Sequence, residues 1–244
     1  MIHSYGHSWY SINGFSGKTV TWCPSDSEDR FNANMADRKQ RARLEEFGWT
    51  RDNVSYTFNT DGFRSDEFTY KPSDSVLFLG CSLTTGIGVD LESSWTYRVA
   101  NSLGLRNYNL GVGGGSSDTC FRLAYHWIPR LRPKYVMMLT PSPTRKEVLL
   151  DDEIVNCMAN VEYIPDEKVR EFYTSWLSHP ANAEMHQLKN VMGIQTICNS
   201  IGVPLVEIHS NILATSRMVT AGRDLMHPGR EWNEKVATRF LDKI

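Results

Sequence analysis

The chain has 244 residues, 41% hydrophobic and 22% charged, so it can bury a core and is not a disordered polymer. A formal net charge of −2 leaves no broad basic footprint for nucleic acid or an anionic membrane. No apolar run approaches the roughly 20 residues needed to span a bilayer.

The opening, MIHSYGHSWYSINGF, has no basic segment followed by an apolar one, so no signal peptide is expected. Residues 1–70 read as a polar, aromatic arm, with turn signals at Asn13-Gly14, Ser16-Gly17 and Asp61-Gly62. One amphipathic helix is expected there, over Asp37–Phe47. His3 and His7 stand four apart in the arm, but Gly6 lies between them and no third ligand is in view, so no metal site is expected. The main domain is expected over residues 71–244. Val76–Leu79 reads as a buried strand, Ser94–Leu103 as a helix, Asn107–Leu110 as a strand and Asp118–Ile128 as a helix. Tyr135–Leu139 is a third strand, followed by an irregular stretch from about 150 to 165. Helices over Asp166–Leu177 and Ala183–Ser200, a strand over Pro204–Ile208 and a closing helix over Glu231–Ile244 complete the pattern. Strands alternating with helices predict an α/β fold with a central parallel sheet covered on both faces. Five scattered cysteines form no C-x-x-C pair, so reduced thiols in a cytoplasmic or virion-associated protein are expected.

Ligands of such sheets bind beyond the carboxyl ends of the strands. The first strand ends in Gly80-Cys81-Ser82 and runs into a polar turn. A serine there is either a helix N-cap or a nucleophile beside backbone N–H groups that receive an oxyanion. Cys81 should point to the opposite face from Ser82 and pack. Near the other end, DLMHPG holds Asp224 and His227 three residues apart. In a helical or 3₁₀ turn that spacing puts a carboxylate beside an imidazole, which would fix the ring tautomer. The bland alternative is a solvated surface turn.

Three stretches together carry a family resemblance. LFLGCSLTTGIGV, YNLGVGGGSS and DLMHPG resemble the first, second and last blocks of the SGNH (GDSL) hydrolase superfamily. The segment YTFNTDGFRSDEF is similar to one that precedes the first block in some bacterial and phage-borne members. The likeness runs over about residues 54–244. It implies a flavodoxin-like three-layer sandwich, with Ser82 as nucleophile, Asp224 and His227 completing the triad, and the N–H groups of Ser82 and Gly114 forming the oxyanion hole. It also implies a serine esterase that acts on a short, acetyl-like ester, carried by a small molecule or a polysaccharide, through an acyl-enzyme and without cofactor or metal. An O-acyltransferase using the same triad and a non-catalytic binding or structural module are the rival readings. Two departures stand out. Cys81 replaces the aspartate that precedes the family's nucleophile, and the third strand is followed by TPSPTR, with none of the asparagine expected there. Thr140, Ser142, Thr144 and Arg145 are the candidate substitutes for that donor. Thr140, Arg145 and Trp95 are the candidate substrate contacts; Arg64, like Arg145, could pair with a substrate carboxylate or phosphate, although such residues more often tie loops together. The G-x-S-x-G elbow of α/β-hydrolases does not fit, because position 84 is threonine.

Overall fold

The computed structural model describes residues 9–150, 153–158, 161–210 and 220–244. In the arm, Thr19–Val20 (β1) is followed by helices Glu28–Ala36 (α1) and Arg38–Glu46 (α2), and Tyr56–Thr57 (β2) returns to pair antiparallel with β1. Asp37 caps α2 by accepting from the N–H groups of Lys39 and Gln40. The preceding helix was not expected from the sequence. Its Ser27 cap and first-turn Glu28 and Asp29 favour a helix, but it buries only Phe31, too thin an apolar face to read.

The main sheet has four strands: Ser75–Leu79 (β3), Arg106–Asn109 (β4), Tyr135–Thr140 (β5) and Leu205–His209 (β8), in the order β4-β3-β5-β8 and all parallel. Side chains of a strand alternate between faces, and here both faces are apolar. Leu77, Leu79, Val136 and Met138 pack on one side against Ser117–Leu131 (α5) and Pro180–Ser200 (α7). Val76, Phe78, Met137 and Leu139 pack on the other against Trp95–Ser102 (α4) and Arg230–Leu241 (α8). The expected α/β fold with a parallel, doubly covered sheet is the fold observed. Strand β3 is buried along its whole length, which is why it read as a continuous apolar run.

The stretch after β5 departs from expectation. Lys146–Leu149 (β6) and Ile154–Cys157 (β7) form an antiparallel hairpin that pairs Glu147 with Asn156. Helix Glu167–Leu177 (α6) closes a small core over it, with Val155, Cys157, Val169 and Tyr173 buried. The hairpin is two four-residue strands that take their apolar cover from α6 rather than from the main sheet, so its own pattern was too weak to read as strands.

The arm does not stand apart from the sheet domain. Its core of Phe31, Leu44, Trp49, Val54, Tyr56 and Phe58 includes Ile87 and Val89 from the loop behind Ser82. Its first described residues, Trp9 and Tyr10, join the α5 side of the main core, where the Trp127 indole N–H donates to the Tyr10 carbonyl at 2.8 Å. Among the described residues no helix is long and apolar enough to cross a membrane.

Candidate active site

At the end of β3 the chain turns sharply into a single helical turn, Ser82–Thr85 (α3), capped at its far end by Gly86 in the left-handed conformation. The turn is tight at Gly80, where a Cβ would stand 2.1 Å from the Thr84 hydroxyl and 2.9 Å from the Leu139 carbonyl. Ser82 is the first residue of this turn, where helix geometry leaves the N–H groups without an intrahelical acceptor. Its side chain opens to the surface only slightly, the residue being 8% exposed. Cys81 is buried, as expected, so the thiol is packed. The loop after β4 is bound tightly against this turn. The Asn109 amide donates to the Thr84 carbonyl at 2.8 Å and accepts from the Gly111 N–H at 2.9 Å, while the Val112 N–H donates to the Gly80 carbonyl at 3.2 Å.

Asp224 and His227 lie on a closed turn. Ala221 and Pro228 form a bridge across its base, and the Gly222 N–H donates to the His227 carbonyl at 2.8 Å. Leu225 takes a positive φ of 56° to let the chain reverse. One Asp224 oxygen accepts the N–H groups of Met226 and His227 at 3.0 and 2.9 Å, and the other accepts the ring Nδ1–H of His227 at 2.5 Å. Burial alone would raise the Asp224 carboxyl. The hydrogen bond from the His227 ring and its electrostatic attraction, with the backbone N–H donors of His227 and Met226, outweigh it and hold the carboxyl below its ordinary value. With Nδ1–H given to Asp224, the His227 Nε2 is an acceptor, and it stands 2.9 Å from Ser82 Oγ. The structure therefore brings together three side chains, with Ser82 meeting a His227 that lies 145 residues further along the chain.

Gly114 lies on the β4–α5 loop with φ +76°, a conformation that favours glycine. A Cβ there would meet Met158 Sδ at 3.6 Å and Asn156 Cβ at 3.8 Å, so the loop backs onto the end of the unexpected hairpin. The Arg145 guanidinium donates to the neighbouring Gly115 carbonyl at 3.3 Å. Asn156 was not singled out from the sequence; its buried Oδ1 has no hydrogen-bond partner among the described residues. Its approach to Gly114 is a tertiary contact between the hairpin and the β4–α5 loop, which no local signal in the sequence announces.

Two candidate substrate contacts are corrected, and Arg64 takes the loop-tying role. Trp95 is fully buried, its ring stacked on Phe240 at 4.6 Å and set edge-on to Phe78, with its N–H given to the Leu83 carbonyl at 3.2 Å. It is a core residue that reaches no substrate surface. Thr140 is also fully buried and donates to Glu207 at 2.6 Å. Arg64 is enclosed and donates to the carbonyls of Ser55, Gly86 and Val89 at 2.9, 2.6 and 3.0 Å, so it is unavailable to a substrate anion. Ser142 and Thr144 hydroxyls bond each other at 2.9 Å. His209 meets the Gln187 side chain at 3.1 Å. His3 and His7 lie outside the described residues.

No protein-family model matches the sequence, and no curated protein matches it. Among solved structures the chain is similar to a psychrotrophic esterase from Pseudoalteromonas sp., with 13% identity and a TM-score of 0.40 over 70% of this chain and 96% of that one. It is similar to an acetyl xylan esterase from Butyrivibrio proteoclasticus, with 14% identity and a TM-score of 0.38 over 71% of this chain and 64% of that one. A GDSL-like lipase from Bacteroides thetaiotaomicron is 12% identical with a TM-score of 0.29, over 70% of this chain and 86% of that one. At such distances shared activity does not follow, and what speaks for chemistry is the placement of Ser82, His227 and Asp224.

Proposed function

We propose that the chain is a serine ester hydrolase of the SGNH type, with Ser82 as nucleophile, His227 as general base and Asp224 as the group that orients the ring. The observation that carries this reading is the line of contacts from Asp224 through Nδ1 and Nε2 to Ser82 Oγ, at 2.5 and 2.9 Å. In the first step His227 Nε2 takes the hydroxyl proton as Oγ adds to the ester carbonyl. The tetrahedral oxyanion is held by the N–H groups of Ser82 and Gly114. Collapse expels the alcohol, which takes the proton from His227, and leaves an acyl group on Ser82. A water, deprotonated by the same Nε2, then adds to the acyl carbon, and the carboxylic acid departs as Oγ recovers its proton. Asp224 carries negative charge throughout, so the imidazolium forms beside a counter-charge.

Asn156 is the side-chain amide we assign to the third side of the oxyanion site. Thr140 is committed to Glu207, whereas Asn156 stands beside Gly114. The substrate we favour is a short acyl ester, acetyl-like, on a carbohydrate. This preference rests on the family resemblance of the three sequence blocks. Incubation with a fluorophosphonate tests the reading: a mass adduct on Ser82, with ester turnover lost in Ser82→Ala, is the expected result. No adduct, together with unchanged turnover in that variant, would retire it.

A further inference from the structure

The Asp224–His227 turn is gripped from outside by the N-terminal arm. Arg223, next in the chain to Asp224, is fully buried and inserts its guanidinium into the arm. Its Nε meets both carboxylate oxygens of Asp26 at 3.2 and 3.1 Å, and its Nη2 meets one of them at 2.8 Å. Its remaining N–H groups donate to the carbonyls of Thr21, Arg51 and Val54, and the Trp22 ring covers it at 4.0 Å. The Trp49 indole N–H adds a second hold on the turn, donating to the Ala221 carbonyl at 2.7 Å.

This grip closes into a ring. Asp26, itself buried, accepts the Tyr56 hydroxyl proton at 2.6 Å, and the Tyr56 oxygen accepts the Gly88 N–H at 2.8 Å. The Gly88 carbonyl accepts the Arg223 N–H at 2.8 Å, returning the ring to its start. Gly88 belongs to the loop behind Ser82, and a Cβ on it would stand 3.1 Å from the Asp224 carboxylate. Burial pushes the Tyr56 hydroxyl far above its ordinary value, with the Asp26 charge adding to this, so it stays protonated and donates. The loop that follows the serine and the residue that precedes the aspartate are thus joined by side chains of the arm. A buried ion pair contributes little net stability, because desolvation offsets its attraction, so an apolar pair would hold the arm equally well. What charged, directional contacts add is a fixed register.

We propose that Asp26 and Tyr56 are positioning residues: the arm sets the spacing between Ser82 and His227 through the Arg223–Asp26–Tyr56–Gly88 ring. The consequence for turnover rests on the hydrolase reading, while the geometric claim does not. The test uses the full chain and the variants Tyr56→Phe, Asp26→Asn, Asp26→Glu and Leu44→Val. The readouts are thermal midpoint, kcat and KM on p-nitrophenyl acetate, and the low-field proton resonance of the His227 Nδ1–H bonded to Asp224, identified by its loss in His227→Gln. Tyr56→Phe keeps the packing and should lower kcat about tenfold, the scale of one lost hydrogen bond. Asp26→Asn should lower it about 10²-fold, the cost of a misplacement near 1 Å. In both, KM stays unchanged and the low-field resonance shifts or vanishes, while Asp26→Glu restores part of each. Leu44→Val, which trims the same arm core without touching the ring, should lower the midpoint and leave kcat and the resonance alone. The proposal is overturned if folded Tyr56→Phe retains wild-type kcat and resonance, and this variant decides the matter should Asp26→Asn fail to fold. If the wild type turns over no ester yet the variants lose the resonance, the hydrolase reading fails and the positioning role stands.

Discussion

Asp224→Asn is the substitution whose outcome follows most directly from the geometry. The carboxylate accepts three N–H groups: two backbone donors on Oδ1 and the ring Nδ1–H on Oδ2. An asparagine of nearly the same shape can keep its carbonyl oxygen on the two backbone donors. Its NH₂ then faces His227 Nδ1 and needs an acceptor there, so the ring proton moves to Nε2. That nitrogen, 2.9 Å from Ser82 Oγ, can then no longer accept the hydroxyl proton. The same substitution in serine proteases lowers kcat about 10⁴-fold, which at about 1.36 kcal/mol per decade is about 5.4 kcal/mol of lost transition-state stabilisation. The variant also loses charge-assisted hydrogen bonds at a site 1% exposed, and about 1–3 kcal/mol of folding stability with them. The assay is steady-state hydrolysis of p-nitrophenyl acetate beside the rate of fluorophosphonate labelling at Ser82, with the thermal midpoint recorded on the same preparation. A folded Asp224→Asn protein within tenfold of the wild-type rate would refute the orienting role.

Further outcomes follow from other contacts. Asn156→Ala should reduce kcat by about 10²-fold or more with KM little changed, as loss of an oxyanion donor does, and a wild-type kcat would remove Asn156 from the site. Trp95→Phe keeps an aromatic ring in a fully buried slot, so differential scanning calorimetry should show a lower midpoint, whereas a change in KM would contradict its place in the core. Acid should unfold the protein steeply below about pH 4. In Asp224 and Asp118 burial acts to raise the carboxyl, but hydrogen bonds, from His227 to the first and from His186 to the second, hold each below its ordinary value. Such groups contribute stability that is full above the unfolded value near 3.9 and is lost as pH falls through the folded one. Circular dichroism should show Asp118→Asn with a shallower acid transition, and an unchanged slope would count against the linkage. All five cysteines are free and buried, and burial pushes the Cys23 and Cys198 thiols up to about 12 and about 11. Iodoacetamide at pH 8 should therefore modify none of them until denaturant is added, as intact mass would report; rapid labelling of the folded chain would contradict their enclosure.

Much of the architecture was legible in the sequence because its signals are local. The apolar run of β3, the period of α5 and the cap of α2 each depend on residues within a few positions of one another. The Asp224–His227 pairing belongs to this class, since three residues of chain suffice to bring carboxylate and ring together. Where the local signal was thin, as in α1 with its single buried side chain or the β6–β7 hairpin covered by α6, the elements went unread. Trp95 looked available near the helix after Ser82, and nothing in its neighbours announced that Phe240, far along the chain, would stack on it.

By itself, then, the sequence determined the alternation of strands and helices, the tight turn that carries Ser82 and the short-range match of Asp224 to His227. Only the tertiary structure decided that the serine meets the imidazole, that Asn156 comes beside Gly114, and that Arg223 reaches 197 residues back to Asp26. The reason is physical: periodicity and caps state which face of an element must be buried, but the partner that buries it is chosen by packing of the whole chain.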